Sequence, residues 1–87
     1  MHEASLIVDL MRRIDGIAKA EGARRIVGVS VWLGALSHMS AEHFAEHFKR
    51  AAAGTVAAGA WLDVCVSDDL GHANAQDLVL KSVAVES

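Results

Sequence analysis

An α+β fold, two helices on one face of a three-stranded mixed sheet, is what this 87-residue sequence predicts. Three observations carry it. Apolar residues recur with helical period over residues 4–21 and again from Ser40 to near Gly54. They alternate with period two over 24–33, 60–66 and 78–85. The resulting order is α-β-α-β-β, and the crossover through the second helix favours parallel first and second strands in a right-handed sense. The later ten-residue link lets the third strand return antiparallel to the second.

The first helix presents Leu6, Ile7, Leu10, Met11, Ile14, Ile17 and Ala18 on one side and Asp9, Arg12, Arg13, Asp15 and Lys19 on the other. Glu3 suits the helix dipole and Gly22 is a stop. Gly16 is a defect of roughly 1 kcal/mol against Ala, expected where a neighbour approaches closely. In the first strand, Val27, Val29, Val31 and Leu33 are assigned to the buried face, with Gly28, Ser30 and Trp32 opposite. Gly34 ends it, and residues 35–39 form a loop containing His38.

Ser40 has the character of an N-cap with Glu42 in the first turn. Ala41, Phe44, Ala45, Phe48, Ala51 and Ala52 make the buried stripe of the second helix. His43 and His47 lie four apart on its flank; without the Glu of an HExxH motif they read as a solvated face. After a turn at 55–59, Ala60, Leu62, Val64 and Val66 share one strand face, and Trp61, Asp63 and Cys65 the other. Cys65 has no neighbouring base in sequence and is expected as a half-buried strand cysteine. Residues 67–76 form a polar loop with His72. In the last strand Val79, Val83 and Val85 are placed on one face, Leu78 and Leu80 on the other. Trp32, Trp61 and Cys65 then mark an open sheet face suited to a partner or a homodimer.

Composition narrows the function classes. With 53% apolar and 22% charged residues the chain is a globular domain rather than a disordered one. A net charge of −3 and the absence of a Lys/Arg stripe argue against nucleic-acid binding. No apolar run is long enough to span a membrane, and His2-Glu3 does not make a secretory n-region, so a cytoplasmic setting is expected. A single cysteine leaves no internal disulfide and no CxxC zinc site. No catalytic triad spacing, phosphate loop or motif-placed carboxylate pair supports an enzyme.

The first three residues hold the distinctive chemistry. Behind Met1, His2 places the α-amine, its own amide nitrogen and its imidazole Nδ1 within a few bonds. On deprotonation, amine and amide close a five-membered chelate and amide and imidazole a six-membered one. Such a planar nitrogen set suits Ni(II) or Cu(II) rather than tetrahedral zinc. Amine and imidazole are trans to each other, so the fourth corner stays open. A frayed terminal histidine is the plain alternative.

The opening MHEASL, the stretch AEGARRIVGVSVWLGALS, the segment GTVAAGAWLDV and the terminal LVLKSVAVE resemble, in the same order, HypA/HybF-type proteins. These are the nickel-incorporation factors of [NiFe]-hydrogenase maturation. The resemblance implies a metallochaperone, not an enzyme. It would bind Ni(II) at the N-terminus and help insert it into the hydrogenase large subunit precursor, with a nickel-binding maturation GTPase as partner and, in some organisms, urease as a second client. It places the site at Met1 through its amine, His2 through amide and imidazole, and the Glu3 amide. Amine and Glu3 amide cannot share one square plane with the His2 chelate, which implies different binding in free and docked states.

The departures from the family pattern are specific. The family's zinc-binding insertion with two CxxC pairs would fall between the second and third strands, where this chain has only the loop 67–76. The expectation is therefore one domain over residues 1–87, with no structural zinc. Ala35 and Ala84 stand where acidic residues are common, and Ser40 where an acidic residue approaches nickel in some members. His38 and His72, both in loops, or a partner residue are the candidates for the open corner. A zinc-free docking module in hydrogenase assembly that does not itself carry nickel is the alternative function.

Overall fold

The computed structural model describes the backbone of residues 2–86 and the side chains of residues 5–86. The element order is α1 (His2–Glu21), β1 (Arg25–Leu33), α2 (Ala41–Ala52), β2 (Trp61–Val66) and β3 (Leu78–Glu86). The α+β class is as the sequence predicts. Helix α1 begins two residues earlier than the apolar period indicates, because a first turn requires no buried residue.

The stripe of α1 is real: Ile7, Leu10, Ile14 and Ala18 are all buried. The helix ends in a Schellman arrangement. Gly22 adopts φ 64°, the Ala23 N–H donates to the Ala18 carbonyl at 2.9 Å and the Gly22 N–H to that of Lys19 at 3.2 Å. Gly16 marks no close approach, since nothing lies within 4 Å of where its Cβ would be. Helix α2 begins at Ser40, whose hydroxyl accepts from the His43 N–H at 3.0 Å, as an N-cap should. Phe44 and Phe48 are buried, and their rings stack 5.9 Å apart.

The sheet has the order β2-β1-β3. Strand β2 runs parallel to β1. Strand β3 is antiparallel, as expected, but pairs with β1 rather than lying beside β2. The centre falls to the strand with the most apolar character: Ile26, Val29, Val31 and Leu33 are each fully buried. Helix α1 packs over β3 and β1, and α2 over β2 and α1.

Two bulges correct the simple alternation. A register shift between Ile26 and Gly28 turns Ile26 into the core and leaves Val27 half-buried. A second shift leaves Lys81 unpaired between Ser82 and Leu80. The extra residue switches parity, so Leu78, Leu80 and Val83 all pack against the core, while Val79 pairs with Trp32 on the far face. Period-two reading cannot register such an insertion, because it assumes an unbroken pleat.

Candidate metal centre

The chain connections bring one set of loops and helix starts together. At the beginning of β1, the Ile26 N–H donates to the Val56 carbonyl just beyond α2, at 2.8 Å. Arg24, three residues after α1, donates to Glu86 at the same end. Both helices therefore finish where β1 starts. Leu6 and Leu10 of α1 share a cleft with Leu78 and Leu80, and Leu78 pairs with Leu33 at the far end of β1. Hence α1 and α2 run roughly parallel to each other and antiparallel to β1. Their N-termini meet at the C-terminal end of β1.

At that end two loops are tied together. The Gly34 N–H donates to Asp77 at 2.9 Å and the Leu36 N–H to Ala75. A side chain at position 34 would collide with the Ala75 carbonyl and the Asn74 carbonyl oxygen, which is why glycine stands there. Ala75 is buried, so the loop 67–77 is docked rather than loose.

His38 occupies this end with φ 62°, the one non-glycine residue in the left-handed region among the described residues. It is exposed, while Ser37 and Met39 on either side are buried and pin the backbone. The Ser37 Oγ finds no hydrogen-bond partner among the described residues. His72 lies in the loop between β2 and β3, as the sequence places it. Its ring stacks on Trp32 at 4.8 Å, on the sheet face opposite the helices. Its Nδ1 accepts from the Asn74 N–H at 2.9 Å, which leaves only Nε2 to bind a metal.

The His43–His47 pair is more than a solvated face. The two Nε2 atoms lie 3.0 Å apart and the rings 4.7 Å apart, tilted by 47°. Spacing alone identified these residues; what it could not supply was the pair of rotamers that bring the nitrogens together. Among the described residues no three His, Cys, Asp or Glu side chains converge on one point.

The side chains of His2 and Glu3, and all of Met1, lie outside the described residues. The backbone of His2 and Glu3 forms the first turn of α1. N–H groups in that turn have no carbonyl acceptor within a helix, so their deprotonation breaks no helical hydrogen bond.

Cys65 is exposed rather than half-buried, because β2 is an edge strand whose outer face carries no second layer. On that face Trp61 covers Gly28, and a Cβ at Gly28 would overlap the indole. The Ser30 hydroxyl donates to Asp63 at 3.3 Å in the next row.

Comparison with known proteins is consistent along most of the chain. Residues 1–69 match the model of a family described as HypA, hydrogenase/urease nickel incorporation metallochaperone. The hydrogenase maturation factor HypA of Chlorobium limicola is 39% identical over 64 residues. Those residues are 74% of this chain and 55% of the relative, so the chain spans about half the length of that curated protein. The solution structure of the Ni metallochaperone HypA from Helicobacter pylori superimposes with a TM-score of 0.78 at 18% identity, covering 98% of this chain and 97% of that one. At that identity the agreement is one of fold.

Proposed function

From the premise that this chain belongs to the HypA family of hydrogenase/urease nickel-incorporation proteins, we propose that it is a nickel metallochaperone that captures Ni(II) at its N-terminus and hands it on. Nickel is cargo here, not a resident cofactor. The observation that carries the reading is the family match beginning at Met1 itself, on a chain whose second residue is His. The Met1 amine with the amide and imidazole of His2 supplies three planar donors, and the Glu3 amide is an alternative to the amine. Backbone geometry supports this, since a first-turn amide is already without an intrahelical acceptor.

The helix dipole sets the charge logic. A bare divalent cation is disfavoured at a helix N-terminus, whereas a deprotonated amide is favoured there. Coordination through amide anions lowers the net charge of the bound unit and removes most of that conflict. The fourth corner is assigned to His38 or to a client residue. His72 is the weaker choice, because it faces the other side of the sheet and its Nδ1 is engaged.

In this reading the client is the [NiFe]-hydrogenase large subunit precursor, or urease, and a nickel-binding GTPase cooperates in the cytoplasm. No helix among the described residues is long and apolar enough to cross a membrane. The same reading takes residues 1–87 as a single nickel-binding-type domain, with the loop 67–76 standing where the family's zinc-binding insertion would fall. It performs no catalysis.

Calorimetric Ni(II) titration tests the site. The native chain, His2→Ala and a chain with several residues added before Met1 are compared; equal binding by all three would sink the terminal site. Affinity should fall on acidification below about pH 8, by about tenfold per pH unit for each proton displaced, because amine and amide must lose protons to coordinate.

A second reading, a docking module that does not carry nickel, is favoured by the uncovered sheet face, where Trp61 is 55% exposed. If His2→Ala still captures the large-subunit precursor, docking is separable from nickel. If that variant loses maturation and excess nickel restores it, the docking-only reading fails.

A further inference from the structure

We propose that His43 and His47 form a second metal site, a two-imidazole clamp on the first turns of α2 that takes a late first-row divalent ion independently of the N-terminus. The identity of that ion as the nickel cargo rests on the function proposed above; the clamp itself rests on geometry. With metal–nitrogen bonds of about 2.0–2.1 Å, nitrogens 3.0 Å apart subtend about 91–97° at the metal. That is the cis angle of a square-planar or tetragonal site, preferred by Ni(II) and Cu(II), and it falls short of the about 109° that tetrahedral zinc requires. The contact as it stands is a hydrogen bond between two ring nitrogens, and a small turn of each imidazole converges both lone pairs on a cation that takes the place of its proton.

The clamp is held in place from below. The Ser40 hydroxyl accepts from the His43 N–H and fixes the start of α2. Phe44 and Phe48, each one residue after a histidine, are buried and set the rotation of the helix. The imidazoles are therefore on the flank by construction, with His43 exposed and His47 half-buried. Both donors sit on a helix rather than on loops, so the bite between them is defined before metal arrives.

Its position is the second reason to assign it a role. Ala51 of α2 shares a groove with Ile7, Val8 and Met11 of α1. At a rise of about 1.5 Å per residue, His47 and His43 lie about 6 and 12 Å further toward the end where α1 begins. Cargo released from a terminal chelate would meet this pair of imidazoles next. Water completes the remaining coordination positions.

The test uses the full chain and Ni(II) alone, with Cu(II) as a second probe. Several residues added ahead of Met1 move the amine out of reach of His2 and abolish the terminal amine–amide chelate, whereas a single added residue would complete a four-nitrogen one. In that extended chain one Ni(II) should still bind, with the largest changes in ring resonances at His43 and His47. His47→Gln in the same background should weaken binding by at least the about 10–100-fold seen when a mere supporting group of a metal ligand is removed. His43→Gln should do the same, and unchanged circular dichroism of both variants shows that the helix persists. If the extended chain binds no Ni(II), the clamp is wrong while the terminal site stands. If His47→Gln and His43→Gln bind as tightly as their parent, the clamp is likewise wrong. If the extension changes nothing and His47→Gln removes binding, the clamp stands and the terminal site falls.

Discussion

The two ends of the sheet are built by different rules. Where β1 begins, Gly22, Gly54 and Gly59 supply the left-handed backbone at φ 64°, 79° and 76°. Arg25 and Glu86 pair across the strand ends at 3.1 Å, and Thr55 caps the carbonyl of Ala52 at 2.7 Å. Where β1 finishes, a left-handed position is filled by His38, and the buried hydroxyl of Ser37 has no partner among the described residues. Residue types that relieve strain were available to the chain and were used at one end. Departures of this kind persist where neighbouring structure holds them, and they tend to gather at functional sites. Here they gather among the histidines.

The largest effect should come from unlocking the histidine-bearing end. Gly34→Ala sets a Cβ against the backbone of Ala75, which cannot rotate away as a side chain could. The loops 34–40 and 67–77 would separate, with loss of the Gly34–Asp77 and Leu36–Ala75 hydrogen bonds. A loss of about 3 kcal/mol in urea unfolding is expected, the upper part of the range for overpacking. Full stability in this variant would show that the loop 67–77 is not docked, and the contrast between the ends would lose its structural basis.

A mirrored pair of substitutions then tests the contrast itself. Gly22→Ala meets no atom within 4 Å, so its penalty is purely that of a left-handed alanine, about 1–2 kcal/mol. His38→Gly should move the other way. Removing the side chain relieves a similar strain, and the extra freedom of glycine in the unfolded chain, about 0.5–1 kcal/mol, offsets part of it. A gain of up to about 1 kcal/mol is therefore expected by thermal unfolding. If His38→Gly destabilises as Gly22→Ala does, the imidazole contributes to folding and its retention needs no functional account. His38→Gly also removes one candidate for the fourth nickel corner, so its Ni(II) affinity is informative in the same sample.

The two ends also differ in how far the sequence discloses them. Gly22 after a periodic run is a helix stop that can be read directly, and so is Ser40 before Glu42. The α+β class and the direction of each strand follow from periodicity and link length. The position of β1 at the centre does not, because link length fixes direction but not neighbour. The bulges at Val27 and Lys81 are silent as well, since one extra residue changes parity without changing composition. At the candidate site, the residue types in MHE and the HxxxH spacing are visible in the sequence. The rotamers that join His43 to His47, the ring contact that draws His72 to Trp32, and the strained φ at His38 are tertiary properties. No local pattern encodes them.

The smallest effect concerns Ser37. Its hydroxyl is buried and unpartnered, and leaving such a group without a hydrogen bond costs about 1–3 kcal/mol relative to solvent. Ser37→Ala deletes one oxygen from a site that is already 96% enclosed, the complement of its 4% exposure. The backbone bond from the Ser37 N–H to the Gly34 carbonyl, 3.0 Å, does not involve the side chain and is kept. The small void left behind works against the gain. The net expectation is a rise in stability of about 0.5–1 kcal/mol, near 2–8 °C in melting temperature for a domain of this size. A drop of similar size would mean that the hydroxyl makes a hydrogen bond in solution, and that this end of the sheet is better satisfied than its geometry indicates. Nickel titration of the same variant separates the two roles a serine beside His38 can have. If stability rises while Ni(II) affinity falls, the unpaired hydroxyl is retained for the site and not for the fold.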